Sequence, residues 1–139
     1  MISSNKKKSL KVILDTNALF IPLEFKFDIF GETLKILGRN VEFILLSPIK
    51  HELELLAGRE DQKLRRQASF ALRLAEKCSF VAVETFDETT DDVIMRIAKN
   101  WSAVVFTNDR ELRQRLRDIS VPVIYLRQKT RLDVDGLIS

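Results

Sequence analysis

The sequence is short of the residues that build the commonest metal and disulfide sites. Its 139 residues include one cysteine, Cys78, and one histidine, His51. A single cysteine cannot form a disulfide within the chain, and one cysteine with one histidine cannot supply the ligands of a zinc site. Any metal ion held here would therefore have to be held by oxygen atoms.

Long apolar runs and linker segments are also missing. No stretch approaches the roughly 20 apolar residues that cross a bilayer, and the lysine-rich start lacks the apolar core of a signal peptide. We therefore expect a cytoplasmic protein with no contact to the membrane. With 45% hydrophobic and 31% charged residues, the chain predicts one globular domain over 10–126, between a basic lead-in, 1–9, and a basic tail, 127–139. The net charge of +3 is compatible with a polyanionic partner.

Five short apolar runs, rich in β-branched or aromatic residues, are typical of strands buried on both faces. They cover residues 11–15, 42–46, 80–84, 103–107 and 121–126. The connections between them carry apolar residues at helical spacing, with Gly38 and Gly58 ending the first two helices. This alternation predicts right-handed crossovers and a Rossmann-like α/β domain of three layers, α/β/α, with a five-stranded parallel sheet.

Acidic residues follow four of these strands. Asp15 ends the first strand, Glu52 lies in the helix after the second, Asp91 and Asp92 open the helix after the third, and Asp109 follows the fourth. Ligands of open α/β sheets bind at the carboxyl ends of the strands. We therefore expect these carboxylates to share one edge of the sheet.

Glu52 is the most informative of these acids, because its helix places it beside the apolar residues Ile49, Leu53 and Leu56. A carboxylate that faces inward needs a compensating cation. That cation is either a lysine or arginine at the sheet edge or a metal ion, and Glu52 alone leaves both interpretations open.

The other acids also have purely structural interpretations. Asp91 and Asp92 follow Thr89 in a first helical turn, where carboxylates are favoured by capping and by the helix dipole. Asp109 could cap the next helix, and Asp15 could form a turn with Asn17. Each interpretation is reasonable singly, but together they require four unrelated acids to meet at one edge. A common site is the better explanation, and an all-oxygen site suits Mg²⁺ or Mn²⁺ and hence phosphoryl or phosphodiester chemistry.

Four segments, in this order and spacing, resemble the acidic motifs of the PIN-domain nucleases. They are VILDTNALF, SPIKHELELL, TTDDVIMRIA and VVFTNDREL. The C-terminal stretch with PVIYLR is similar to the small archaeal PIN proteins related to the eukaryotic nuclease that processes pre-rRNA of the small subunit. The resemblance implies a PIN-like fold, Mg²⁺- or Mn²⁺-dependent endonucleolytic hydrolysis of single-stranded RNA such as pre-rRNA, and a homodimer.

The resemblance also assigns site residues. The implied catalytic, metal-binding carboxylates are Asp15, Glu52, Asp91 and Asp109, with Asp92 as the fallback for Asp91. Polar neighbours would orient these carboxylates, water or substrate, namely Thr16, Asn17, Thr107 and Asn108.

Basic residues after the fourth motif are candidates for RNA contact. They follow one side of the last helix and continue past the final strand, as Arg110, Arg113, Arg117, Arg127, Lys129 and Arg131. The alternative is a solvated helix face and tail. Lys6, Lys7 and Lys8 form a further basic segment that could touch RNA.

Two other functions remain open from the sequence. One is a toxin nuclease of a toxin–antitoxin pair, acting on tRNA or mRNA. The other is an RNA-binding or assembly module that holds metal weakly and cuts little.

Overall fold

A computed structural model describes residues 9–139, so the lysine cluster at Lys6, Lys7 and Lys8 lies outside the described residues. Six strands and six helices make up this part of the chain. In order they are β1 (Leu10–Leu14), α1 (Thr16–Phe25), α2 (Ile29–Leu37), β2 (Val41–Leu46), α3 (Ser47–Ala57), α4 (Gln62–Ala75), β3 (Ser79–Val81), α5 (Thr90–Trp101), β4 (Val104–Phe106), α6 (Arg110–Asp118), β5 (Val123–Arg127) and β6 (Arg131–Asp135).

The strands form one mostly parallel sheet in the order β3-β2-β1-β4-β5-β6, in which only the β5–β6 pair is antiparallel. The two central strands are almost wholly apolar and buried, as expected for strands covered on both faces. Val12, Ile13 and Leu14 of β1 and Val105 and Phe106 of β4 have no exposed surface. The predicted α/β class, with helices around a central sheet, is confirmed.

The direction of the crossovers explains the layers. From β1 the chain moves outward to β2 and β3 through α1–α4, and then returns through α5 to β4 and continues through α6 to β5. Right-handed crossovers that run in opposite directions put their helices on opposite faces. In agreement, α4 packs against α1 and α3, while α5 packs against α6. The carboxyl ends of β1 and β4 therefore lie side by side where the strand order reverses, which is the usual ligand site of such sheets.

Helix α1 was not predicted. The sequence predicted one helix between the first two strands, ending at Gly38, whereas the chain is already helical directly after β1, with Asp15 as the N-cap of this additional helix. The helix contains Pro22 and is apolar around most of its circumference, so it lacks the one-sided pattern of a surface helix. It ends at Lys26, which has a left-handed backbone with φ 51°.

The predicted count of five strands is short by one. Residues 131–135 form β6, which pairs with β5 through a tight turn with positive φ at Gln128 and Lys129. Leu132 is buried, but the charged residues on either side of it resemble those of a solvated tail. The division of the chain at residues 10 and 126 stays a prediction.

The third strand is shorter than predicted, because β3 covers Ser79–Val81 rather than 80–84. Beyond it, the backbone N–H of Val83 donates to the hydroxyl of Ser47 at 3.0 Å. Ser47 opens α3 without capping it, since the helix has no side-chain cap at that end, and its hydroxyl instead holds the segment after β3. Cys78 packs partly buried against the core, and burial raises the pKa of its thiol to about 11. None of the helices between residues 9 and 139 is long and apolar enough to cross a membrane.

Candidate active site

Asp15 stands at the centre of the site, because it ends β1 beside the end of β4. Its backbone N–H donates to the carbonyl of Phe106 at 3.0 Å, which joins the two strand ends. Only 6% of the residue is exposed. One carboxylate oxygen accepts the backbone N–H of Thr16 at 2.8 Å, and the other accepts Asn17 Nδ2 at 2.8 Å and Thr107 Oγ1 at 2.7 Å. The carboxylate is thus fixed from both sides.

Two asparagines link this carboxylate to the neighbouring strand ends. Asn17 Oδ1 accepts the backbone N–H of Asn108 at 2.8 Å, so the start of α1 is bound to the segment after β4. Asn108 Oδ1 in turn accepts the backbone N–H of Leu126 at 2.8 Å, which ties the same segment to β5. All four residues predicted to orient the carboxylates, Thr16, Asn17, Thr107 and Asn108, therefore lie within this hydrogen-bond network.

Glu52 reaches the network from α3. It accepts a hydrogen bond from the hydroxyl of Thr16, the residue next to Asp15. Within residues 9–139 it forms no ion pair with a lysine or arginine, so the salt bridge considered from the sequence is not observed there. Its neighbour His51 is exposed and lies off the inward face of the helix.

The structure separates Asp91 from Asp92. The carboxylate of Asp92 accepts Arg115 Nη2 at 2.7 Å, and this hydrogen bond lowers the pKa of Asp92. Burial raises the pKa of Asp91, and the negative charge of Asp109 raises it further, while Arg115 acts against both. Of the pair, Asp91 is therefore the one whose pKa is raised, by burial and by the other acids, whereas Asp92 is paired with Arg115. The sequence did not predict a part for Arg115, because its partner lies 23 positions away and their contact depends on how α5 packs against α6.

Asp109 follows β4 and caps α6. Its Oδ1 accepts the backbone N–H groups of Glu111 at 2.9 Å and Leu112 at 3.2 Å. The capping considered from the sequence is therefore observed. Capping does not separate Asp109 from the other acids, since its negative charge raises the pKa of Asp91. Its own backbone N–H donates to Thr107 Oγ1 at 3.1 Å, which connects it to the hydroxyl that holds Asp15.

The carboxylates are electrostatically coupled. Burial raises the pKa of Asp15; hydrogen bonds from Thr107 and from the backbone of Thr16 lower it, and the negative charges of Asp91 and Glu52 raise it. Among residues 9–139, no three acidic, histidine or cysteine side chains already form a ligand set for a metal ion. The site is thus a group of coupled carboxylates that a divalent cation would stabilise in their ionised form.

The candidate RNA-binding residues divide into two groups. Asp135 on β6 pairs with Arg113 at 3.0 Å and with Arg117 at 3.2 Å, and Asp133 pairs with Arg127 at 2.9 Å. The remaining three form no ion pair in the part of the chain that the structure describes, and they are Arg110, Lys129 and Arg131.

Two surface cavities adjoin this basic group. One, of about 360 Å³, is lined by Asn108, Arg110, Arg113, Tyr125, Leu126, Arg127 and Gln128. The other, of about 470 Å³, is lined by Arg110, Arg113, Gln114, Arg117 and Asp135. The guanidinium of Arg113 lies 3.7 Å from the ring centre of Tyr125. The acids of β6 could not be singled out from the sequence, because β6 itself was not predicted. Tyr125 lies in the predicted strand 121–126, but its contact with Arg113 depends on how α6 packs against β5.

Comparison with known proteins agrees with this geometry. A family model described as a PIN like domain matches residues 12–129. Ribonuclease VapC4 of Methanocaldococcus jannaschii is 33% identical over 129 residues, which cover 92% of this chain and 98% of that protein. Ribonuclease VapC9 of Archaeoglobus fulgidus is 33% identical over 125 residues, which cover 90% of this chain and 89% of that protein.

Solved structures are similar in fold. The structure of the PIN domain endonuclease Utp24 superimposes with a TM-score of 0.77 at 26% identity, covering 92% of each chain. A domain of a functionally unknown protein from Methanocaldococcus jannaschii shares the fold with a TM-score of 0.62 at 18% identity, over 94% of this chain and 100% of that one. The family model spans most of the sequence, and both curated relatives are matched over nearly their whole length. The chain therefore belongs to the PIN-domain nuclease family.

Proposed function

We propose that this protein is a divalent-metal-dependent endoribonuclease that hydrolyses phosphodiester bonds of single-stranded RNA. The observation that carries the proposal is the buried Asp15, fixed at the point where the strand order reverses and lying in the field of Glu52 and Asp91. The curated relatives are named ribonucleases, which supports RNA as the substrate.

Asp15, Glu52, Asp91 and Asp109 would hold the ion, with Asp92 as the fallback for Asp91. Their oxygen-only chemistry fits Mg²⁺ or Mn²⁺, which bind through one or two carboxylates and keep several waters. The raised pKa values of Asp15 and Asp91 fit as well, because burial and the neighbouring negative charges disfavour the ionised carboxylates, which a bound cation would stabilise. A bound ion would supply Lewis-acid chemistry at the scissile phosphate.

The protein's own part in this reaction is to hold and orient the acidic side chains. Thr107 and Asn17 donate to one oxygen of Asp15, so that carboxylate cannot turn away when substrate arrives. Asn108 fixes the segment after β4 against β5, and Arg110, the residue after Asp109, lines the adjoining cavity. Arg110 can then contact a phosphate next to the scissile one.

Cleavage of end-labelled single-stranded RNA in Mn²⁺, in Mg²⁺ and in EDTA tests the proposal. We expect internal cuts with either metal and none in EDTA. A control variant, Lys99→Ala, should cut like the wild type. It removes an amino group that donates to the carbonyl of Ile119, away from the acids. Cutting that persists unchanged in EDTA would contradict a metal-dependent enzyme.

The pairing of Asp135 with two candidate phosphate-binding arginines leads to a prediction for RNA affinity. Asp135→Asn should bind single-stranded RNA several-fold more tightly, because it removes the negative charge that neutralises Arg113 and Arg117 and competes with phosphates for them. The salt dependence should also steepen, by about 0.7 for each additional phosphate that the protein neutralises. Fluorescence anisotropy at several salt concentrations measures both quantities.

Asp118→Asn is the control for that experiment. Asp118 lies at the end of α6 and accepts a hydrogen bond from Gln114 at 3.0 Å, so its loss changes the net charge equally without releasing either arginine. Equal increases in affinity in the two variants would mean that only the net charge matters. In that case Arg113 and Arg117 are part of a solvated face and do not bind RNA.

For the biological role, we propose processing of pre-rRNA in a homodimeric form. The alternative is a toxin-type PIN ribonuclease, which the names of the two curated relatives support in part. Preferred cleavage of a pre-rRNA fragment over tRNA and mRNA would favour the first role, and the reverse preference would favour the second. RNA binding without any cutting would instead indicate an assembly module.

A further inference from the structure

Phe86 is the most exposed aromatic residue in the described part of the chain. Its relative exposure is 68%, which is unusual for so large an apolar side chain. It lies in the segment between β3 and α5, at the same edge of the sheet as the acids. Asp91 follows it five positions later, and a chain of that length spans at most about 18 Å. The ring is therefore within a few nucleotides' reach of the site.

The backbone that presents this ring is strained. Phe86 and Asp87 have φ values of 43° and 62°, and the N–H of Glu88 donates to the carbonyl of Thr85 at 2.7 Å. A two-residue turn with positive φ at both positions normally contains asparagine and glycine. A bulky side chain is disfavoured there, and such strain persists where the surrounding structure enforces it.

Arg96 of α5 enforces the turn. Its Nε lies 3.0 Å and its Nη2 lies 2.8 Å from the carboxylate of Glu88, and Nη2 also donates to the carbonyl of Glu84 at 2.6 Å. The same guanidinium lies over the Phe86 ring, 5.1 Å from its centre. One side chain thus holds both ends of the turn and supports the ring from one side, while most of the ring surface stays open to solvent.

The charge of the segment indicates what the ring can bind. Glu84, Asp87 and Glu88 outnumber Arg96, which is already paired. Such a segment does not attract phosphates, so a nucleic acid would contact it through its bases and not through its backbone. An exposed aromatic ring stacks on any base, because every base has a flat π surface.

We propose that Phe86 is a base-stacking residue for the RNA strand that enters the acidic site, and that Arg96 is the residue that positions it. This inference rests on the proposed ribonuclease function, since it needs single-stranded RNA as the ligand. It explains why a strained turn, an arginine with four hydrogen bonds and an exposed phenylalanine occur together beside the carboxylates.

The test measures binding, in EDTA, of a fluorescein-labelled oligoadenylate and of an abasic oligomer of equal length. Cleavage of the oligoadenylate in Mn²⁺ is measured separately with the same protein preparations. Phe86→Ala should weaken binding of the oligoadenylate about tenfold and leave the abasic oligomer unaffected. Phe86→Trp should retain tight binding. Phe80→Ala is the matched control, because Phe80 is also exposed, at 52%, and also lies under a cation, Lys50.

A second variant separates stacking from a structural role. Phe86→Gly should raise Tm by a few degrees, because glycine adopts positive φ without strain, and should still weaken binding of the oligoadenylate. A purely structural phenylalanine would not lose RNA affinity while the protein gains stability.

The outcomes distinguish the inference from the proposed function. If Phe86→Ala binds the oligoadenylate as tightly as the wild type and Phe80→Ala, the stacking role is overturned, and the ring is better explained as a contact for a protein partner. Cleavage by the wild type would leave the ribonuclease standing in that case. If the wild type neither binds nor cuts RNA, the proposed function fails and the stacking role fails with it.

Discussion

Asp15→Asn is expected to lower RNA cleavage by at least about a hundredfold while the protein stays folded. Asparagine keeps the size of the side chain but removes the charge that a divalent cation needs. It is as good an N-cap as aspartate, so the start of α1 should survive. The measurement is the rate of cutting of end-labelled RNA in Mn²⁺, beside circular dichroism of both proteins.

The Tm of the same variant should fall by no more than a few degrees. The neutral amide loses at most one of the hydrogen bonds from Thr16, Asn17 and Thr107, a loss of about 1 kcal/mol. Against this, burial raises the pKa of Asp15, so its ionised form destabilises the fold. This destabilisation is absent below the ordinary carboxyl pKa and is present in full above the raised pKa of Asp15. Asparagine therefore removes it at neutral pH.

A control for Asp15→Asn is Asp28→Asn, because Asp28 is an exposed N-cap of α2 that accepts the N–H of Gly31 at 3.1 Å. Both variants replace a capping aspartate, but only Asp15 lies among coupled acids. Equal cutting by wild type, Asp28→Asn and Asp15→Asn would show that the activity comes from a contaminating nuclease or that Asp15 has no part in it.

The sequence was sufficient for the five parallel strands, and for the expectation of acids at their carboxyl ends, because both depend on local patterns. Buried parallel strands appear as short apolar runs, and the carboxyl ends of such strands must meet. The acids that directly follow β1 and β4 could therefore be placed together before any distance was known. Helix α1 and strand β6 were missed for the opposite reason, since one is apolar on nearly every side and the other alternates charged and apolar residues over only five positions.

The ion pairs between elements could not be predicted from the sequence. Arg115 reaches Asp92 across 23 positions, and Asp135 reaches Arg113 across 22. Such contacts depend on how α5 packs against α6 and on the presence of β6. They nevertheless decide which carboxylates and which arginines remain available for a metal ion or for RNA.

Because of those contacts, we expect Asp91 and Asp92 to have different roles. Asp91→Asn should lower RNA cleavage by at least about a hundredfold, because it removes a carboxylate that faces Asp109 and Glu52. Asp92→Asn should keep most of the wild-type rate. Its amide oxygen can still accept the hydrogen bond from Arg115, so that guanidinium stays beside Asp91 as before.

The two variants form a matched pair, since they remove the same charge from adjacent positions in the first turn of α5. Any general effect on the helix dipole or on net charge is common to both, and only the direction of the side chain differs. Calorimetric titration with Mn²⁺ adds a second measurement, in which Asp91→Asn should lose affinity and Asp92→Asn should not. The reverse pattern in both assays would make Asp92 the ligand, and the bond to Arg115 would then have to break when the ion binds.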